Sequence, residues 1–562
     1  MFKKMLLAAF FGICLFSAFS QVSSDPREII YEDIVIWENL GIVKNLSPLR
    51  PYPLAVIEDI LKTVIDCSYP IQAQKAQEYY DRIFSKPVSA GLSYDPRVKF
   101  ADNSEALVQN NLNVLCFGDF YMTGRTSVSL DLKVHATDGF RAAVLPQFAR
   151  PLEDAPWDPV DMGKFTGLLD MNMSAASVFD GLYIQGGISR NSWGPFFDSG
   201  VTLSKDSFHN GNVTFFYNGH ENWNYQHSYF MLGATDNTGN RISPEKFMAL
   251  HSIEFSPWSW LTFSYYENII YGNRFDPIYV LPVPFMVAQS IGSYSDNLQM
   301  GVAFEVRPFA GFLWATDVLV DDISANELLR LDFDTKIKIA AVTGVQYAFN
   351  KSLVKMITLD YTLIAPYMYT HEDSSVINYQ NYTNNGICMG SDLPPNSDRI
   401  ALRLSLEPVK NLTLAVKGSF ARHANINESI PDEDAVSYLR NYGIRNASTT
   451  DGGIHNYANA GAGYLAYAQE NFMFMEQETK MLIVQTTLDA SYTFYTNVAG
   501  SLSLNAGWTF EFIKNKGVQN VMFGFSKPDA TGADVAAARE VWKAALHNTL
   551  ANYLYLSLRY AY

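Results

Sequence analysis

Hydrophobicity alternates with a period of two along most of this chain, and the alternation runs flush to the last residue. In residues 552–562, Leu554, Leu556, Leu558, Tyr560 and Tyr562 share one parity, while Tyr555, Ser557, Arg559 and Ala561 share the other. A period of two places successive side chains on opposite faces of a β-strand. An alternating final strand ending on an aromatic residue is what an outer-membrane barrel offers as its closing strand. A soluble β protein would show the same local pattern, so the weight of the argument falls on repetition.

The pattern repeats from about residue 90 onward. Val128, Leu130, Leu132 and Val134 alternate with Ser129, Asp131, Lys133 and His135. Met300, Val302, Phe304 and Val306 alternate with Gly301, Ala303, Glu305 and Arg307. Ile400, Leu402, Leu404 and Leu406 alternate with Ala401, Arg403, Ser405 and Glu407, and the segments 412–420 and 502–511 behave alike. In a soluble sandwich the apolar face would be the core; in a membrane barrel it faces lipid and the polar face lines the lumen. The chain is 48% hydrophobic, yet no apolar run after the N-terminus reaches the roughly 20 residues of a membrane-spanning helix. Alternation hides that apolar surface in a barrel. At about 20–28 residues per strand and its turn, residues 90–562 predict about 16 to 20 strands, with 18 preferred because the number should be even. Asp131, Lys133, Glu305, Arg307, Asp317, Asp360, Arg403, Glu407, Lys417 and Arg559 take the inward parity. They are expected either to pair across the lumen and hold the barrel's shape, or to line a polar path.

Residues 25–86 read differently. Apolar residues recur at helical spacing over 29–40 and 54–65, separated by Gly41, Pro48, Pro51 and Pro53, and a third helical stretch covers 72–84 before Pro87. This predicts a small α-helical unit that caps or plugs one end of the barrel. Ahead of it, Lys3 and Lys4 precede an apolar run over 5–16, and Ala18 and Ser20 have the spacing of a signal-peptidase site. Residues 1–20 are therefore expected to be a signal peptide cleaved before Gln21. Cys14 lacks the small residues of a lipoprotein site, so no lipid anchor is expected. Cys67, Cys116 and Cys388 would remain, without a disulfide framework or a metal spacing. The long polar segments 423–478 and 514–545, the latter with a helical piece near 534–546, suit outer loops; a C-terminus in the periplasm puts the second of them outside the cell.

Motifs for catalysis are missing: there is no G-x-S-x-G, no H-E-x-x-H and no C-x-x-C. His220-Glu221 and His371-Glu372 lack the second histidine of a zinc site. His251 shares parity with Ile253 and Phe255, so it faces lipid, sits at an interface or pairs with a neighbour; nothing supplies it with a nucleophile. Asp321-Asp322 suits a cation or, equally, a polar turn. A net charge of −16 argues against nucleic acid as a partner.

Several short motifs occur in an informative order. They are Asn191-Ser192-Trp193-Gly194-Pro195, then Ala249-Leu250-His251-Ser252-Ile253-Glu254-Phe255, Tyr266-Glu267, Tyr271-Gly272, Asp296-Asn297 and Asp321-Asp322. Ala365-Pro366-Tyr367-Met368-Tyr369-Thr370-His371 and Ser397-Asp398-Arg399 follow, and Arg50-Pro51-Tyr52-Pro53-Leu54 precedes them all. In that order the chain resembles the Wzi-like capsule-assembly family of outer-membrane barrels. The resemblance implies an 18-stranded barrel with a periplasmic helical bundle and a lectin-like, non-enzymatic role toward surface polysaccharide. Trp193, Tyr367 and Tyr369 would then stack on sugar rings, with Glu254, Glu267, Asp321, Asp322 and Arg399 taking hydroxyls. Trp193-Gly194-Pro195 is equally a tight turn with an interfacial anchor.

The expectation is thus a mostly β protein: a transmembrane antiparallel barrel in the outer membrane of a diderm bacterium, both termini periplasmic. It needs no cofactor. Its partners would be outer-membrane lipid, surface polysaccharide and the barrel-assembly machinery, with the chain itself a monomer. A porin or substrate-specific channel is the alternative; an outer-membrane lipid hydrolase is a third.

Overall fold

A computed structural model describes residues 25–85, 88–102, 105–138, 144–150, 160–236, 241–292, 296–321, 338–371, 377–441, 474–496, 500–520, 522 and 527–562. The expected signal peptide, Asp322 and the glycine-rich part of the 423–478 segment lie outside them.

Eighteen antiparallel strands close into a barrel. In chain order β1 covers Val88–Tyr94 and resumes over Arg97–Ala101, and β2 covers Leu107–Gln109 and Asn111–Thr123. Then follow β3 (Thr126–Thr137), β4 (Thr166–Phe179), β5 (Leu182–Ser189), β6 (Asn210–His220), β7 (Trp223–Asp236), β8 (Arg241–Trp258) and β9 (Leu261–Gly272). After these come β10 (Asn297–Val306), β11 (Phe312–Asp321), β12 (Lys338–Ala348), β13 (Val354–Ile364) and β14 (Ser397–Val409). The last four are β15 (Leu412–Ala424), β16 (Lys480–Thr496), β17 (Gly500–Lys516) and β18 (His547–Ala561). The final strand closes the barrel. β18 pairs with β17 through Leu504↔Leu558 and with β1 through Tyr94↔Leu558 and Ala551↔Ala101.

Alternation decides which face each side chain takes. Leu554, Leu556, Leu558 and Tyr560 point outward and are 41–47% exposed, an apolar row on the outer face of the barrel. Arg559 points inward, its guanidinium 4.4 Å from the centre of the Phe117 ring. Trp258 and Trp260 stack at 5.5 Å in the β8–β9 turn, where an aromatic girdle belongs. Among the described residues no helix is long and apolar enough to cross a membrane.

The two ends differ. Short turns such as Thr123–Thr126, Phe179–Leu182, His220–Trp223 and Val409–Leu412 gather at one end, together with the start of β1 and the end of β18. The long connections gather at the other. The longest runs from Ala424 to Lys480 and carries a helix over Asp432–Asn441; the last runs from Lys516 to His547 and carries a helix over Gly532–Ala544.

Three helices precede the barrel: α1 (Ile29–Asn39), α2 (Leu54–Ile65) and α3 (Pro70–Ser85). Pro53 caps the start of α2, and its apolar side chains at 54, 57, 60, 61 and 64 form one buried stripe. Trp37, Ile57, Leu61, Tyr79 and Ile83 make a core that continues onto Ala348 and Met356 of the barrel. The unit sits at the short-turn end: the Asn45 amide donates to the His220 carbonyl (3.0 Å), and the Gly311 N–H donates to the Asn39 carbonyl (2.7 Å).

Facing determines cost. Leu556→Arg, on the lipid face near mid-strand, is expected to destabilise the barrel by about 2–4 kcal/mol, and Ser557→Arg, on the lumenal face, by clearly less. Unfolding titrations in lipid bilayers would measure both; equal losses would contradict the assigned facing.

Candidate functional site

The lumen of a barrel this wide must be either filled or open to water. Here charged side chains of the helical unit enter it from the short-turn end. Glu32 pairs with Arg403 and accepts from the Ser405 hydroxyl. Asp33 meets Lys75 at 3.0 Å and Lys355 at 2.8 Å, and accepts from the Tyr79 hydroxyl at 2.5 Å. Lys75 also reaches Glu407 at 2.8 Å, and the Asn39 amide donates to Gln346 at 2.9 Å. Burial alone would push the Asp33 carboxyl up, but Lys355 and Lys75 outweigh it and hold it at about 2.

From the other end, loop residues 190–209, 365–371 and 377–396 fold inward and build an apolar core inside the barrel. The hydroxyls of Tyr369 and Tyr382 donate to the carbonyls of Val201 and Thr202, each at 2.7 Å. Tyr266, on the lumenal face of β9, donates to Asp317 at 2.6 Å and packs 5.2 Å from Trp193. Tyr367 and Tyr369 both hold left-handed backbone (φ 59° and 70°), which bulky residues adopt only when their surroundings impose it.

The two fillings meet. Leu49 and Arg50, between α1 and α2, pair as a short ladder with Ser192 and Trp193 of the inward loop. Arg50 donates to the Gly194 carbonyl at 2.8 Å, and Gly194 turns the chain there at φ +107°, a conformation side chains resist.

The residues expected to take a ligand do not converge. Trp193, Tyr367 and Tyr369 are buried in the core. Glu254 is buried on the lumenal wall, accepting from Asn224 at 2.7 Å and Ser264 at 2.9 Å. Glu267 lies on the outer wall, accepting from Tyr265 at 2.6 Å and from the Phe285 N–H at 2.6 Å, with His251 at 3.1 Å. Asp321 is fully buried and accepts from Gln299 at 3.0 Å. Arg399 makes a two-pronged pair with Asp392 (2.6 and 3.0 Å), which outweighs burial and holds that carboxyl at about 2.

The ten residues of inward parity are placed by their partners. Lys133 meets Asp131 at 3.0 Å, and Arg307 meets Glu305 at 2.5 Å. Asp360 accepts from Ser199 at 3.0 Å, and Arg403 meets Asp198 at 3.0 Å. Asp317, Glu407 and Arg559 take the contacts already given. Lys417 and Arg399 line a cavity of about 160 Å³, together with Gln147, Asp392, Gln485 and Thr509. A second hollow, of about 520 Å³, lies between the helical unit and the wall and gathers Glu254, Glu305 and Arg307 with Glu38 and Arg50. Glu38 was not legible in the sequence as part of this hollow, because helical spacing marks a buried stripe, not the strand that a charged residue will face across the lumen. Among the described residues no three His, Cys, Asp or Glu side chains converge as a metal site.

The folded-state pKa of Asp33 lies below its unfolded value of about 3.9, so its contribution is complete above that value and is lost as pH falls toward about 2; it amounts to about 2.5 kcal/mol. Asp33→Asn also leaves Lys355 without its buried partner, at a cost of roughly 3–5 kcal/mol, while Lys75 keeps Glu407. Proteolysis of residues 25–85 in the intact barrel is expected to accelerate in this variant at neutral pH, and in the wild type only upon acidification.

No protein-family model matches the chain, and no curated protein is similar to it. Solved structures are. OprD of Pseudomonas aeruginosa is 10% identical, covering 84% of this chain and 95% of that one at a TM-score of 0.39. OccAB2 of Acinetobacter baumannii is 9% identical, covering 84% and 98% at 0.40, and neither superposes well enough to carry an argument. Wzi, described as an outer-membrane protein involved in group 1 capsule assembly in Escherichia coli and a carbohydrate-binding β-barrel, is 12% identical. It covers 96% of this chain and 99% of that one at a TM-score of 0.55, so the chain has a Wzi-like outer-membrane barrel fold.

Proposed function

We propose that this protein is a non-catalytic outer-membrane barrel that binds or organises a cell-surface polysaccharide at its long-connection end. In this reading the short turns, the helical unit and both chain termini lie in the periplasm, the chain is inserted by the barrel-assembly machinery, and it acts as a monomer.

The observation that carries the reading is the obstruction of the lumen from both ends. A charged helical unit enters from below, an apolar loop core descends from above, and the two join at Leu49–Arg50 and Ser192–Trp193. A porin has no use for such a filling; a surface that must hold loops in a fixed arrangement does. The carbohydrate binding stated for the similar Wzi supports the same reading. Trp193, Tyr367 and Tyr369 then act as the floor under the loops, and sugar hydroxyls would meet polar groups such as Arg399 and Lys417 at the 160 Å³ cavity.

One observation favours a channel. The lumenal faces of β16–β18 carry Thr487, Asp489, Thr493, Ser503, Asn505 and Ser557, all partly accessible. Planar-bilayer recordings and a glycan array separate the two. The expected result is low conductance with retention of a polysaccharide, and Lys417→Ala is expected to weaken that retention. Open-pore conductance together with no glycan bound would sink the proposal; higher conductance after deletion of 25–86 alone would show only that the unit obstructs the lumen.

A further inference from the structure

The outer wall of the barrel carries a polar patch where lipid should be. His227, His251 and Glu267 are cross-strand neighbours on β7, β8 and β9. The same rung continues to Phe215 on one side and to Met300 and Val320 on the other. All take the outward parity, shared with Val213, Met231, Ile253 and Phe255, which are exposed. A carboxylate and two imidazoles therefore stand in a row of side chains that otherwise suits hydrocarbon. From strand rise and barrel tilt, the rung stands about 18 Å above the Trp258–Trp260 pair, inside an apolar band about 25 Å tall.

The patch is not bare. After β9 the chain folds back down the outside of the barrel as a 3-10 turn (Pro277–Val280) and a helix, α4 (Phe285–Gly292). Phe285 is fully buried against the wall, its ring 4.1 Å from that of His251, and its N–H donates to Glu267 at 2.6 Å. Tyr279 and Ala288 are buried beside it. A clasp closes the segment: Arg274 donates to Asp296 at 3.1 Å, and the Tyr279 hydroxyl donates to Asp296 at 2.7 Å. The underside is thus fully committed to the barrel. The upper side is apolar: Phe275, Val280, Leu281, Met286, Val287 and Ile291 are 44–70% exposed.

We propose that residues 273–292 form a strap lying in the membrane, latched by its underside to the His227–His251–Glu267 patch and presenting its apolar face to lipid acyl chains. Two constraints choose lipid as the occupant. The rung beneath the strap is flanked on both sides by lipid-facing apolar residues, so the strap shares their depth. The strap's exposed side chains are also continuous with the belt, replacing a polar patch by apolar surface. With the short turns in the periplasm this is the outer leaflet, although the contact itself does not depend on that orientation or on any glycan.

The test uses the full chain in phospholipid vesicles, with a benzophenone-bearing side chain introduced at Val287 and, separately, at Ile291. Illumination is expected to give protein–lipid adducts as abundant as those from the same probe at Leu556 on the belt, and far above those from the probe at Arg125 in a short turn. Adducts to a second copy of the chain, or no adducts at either strap position while Leu556 reacts, would overturn the proposal. Glu267→Leu, with Val287 labelled, addresses the latch: the barrel is expected to keep its heat-modifiable migration while the Val287–lipid adducts fall. Undiminished adducts would show that the polar patch does not hold the strap and would overturn that half of the proposal.

Discussion

Everything in this structure depends on the requirement that no backbone N–H or C=O of a membrane-spanning strand be left without a partner, because hydrocarbon offers none. A sheet meets that requirement only by closing on itself. β18 supplies the closure, with β17 on one edge and β1 on the other, and the register fixes every other facing. A shift of one residue would turn Leu554, Leu556 and Leu558 into the lumen and Arg559 into lipid. The ladder and the alternation of the final strand are therefore one constraint.

Closure at eighteen strands creates a second problem, an interior too wide for the wall's own side chains to fill. Two different chemistries occupy it. Apolar loop residues around Tyr266, Tyr369 and Tyr382 make a core in which those three hydroxyls find carbonyl or carboxylate partners, which burial demands. Besides its apolar contact with Ala348 and Met356, the helical unit is tied to the wall by ion pairs, Glu32 with Arg403, Asp33 with Lys355 and Lys75 with Glu407. Buried pairs add little net stability over apolar packing, yet fix geometry closely and are costly to break singly. The loop core is thus an apolar filling, while the attachment of the helical unit depends on charge and pH.

The outer wall obeys the same rule in reverse. A barrel tolerates polar groups on its lipid face only where something shields them. The His251–Glu267 pair is shielded by α4, and Phe285 supplies both the ring that stacks on the histidine and the N–H that satisfies the carboxylate. Polar residues at outward parity and an apolar helix in the next connection are two halves of one arrangement.

By itself the sequence determined what period and parity can determine. The final strand, the inward side of Asp131, Glu305, Arg403 and Arg559, the helical character of 29–85 and the two long connections were legible because each is a local pattern imposed by backbone geometry. His251 was legible as an outward residue, but its partner was not, since Glu267 and Phe285 reach it only across a strand pair and a folded-back loop. Tyr367, Tyr369 and Trp193 read as sugar-stacking aromatics, for aromatic residues near turns suit a binding surface and a core equally well. Only the tertiary structure decided between them, by folding residues 190–209, 365–371 and 377–396 inward and closing the barrel around them. Periodicity reports which side of its own element a residue takes; which distant element then arrives on that side is set by closure and packing across the whole chain.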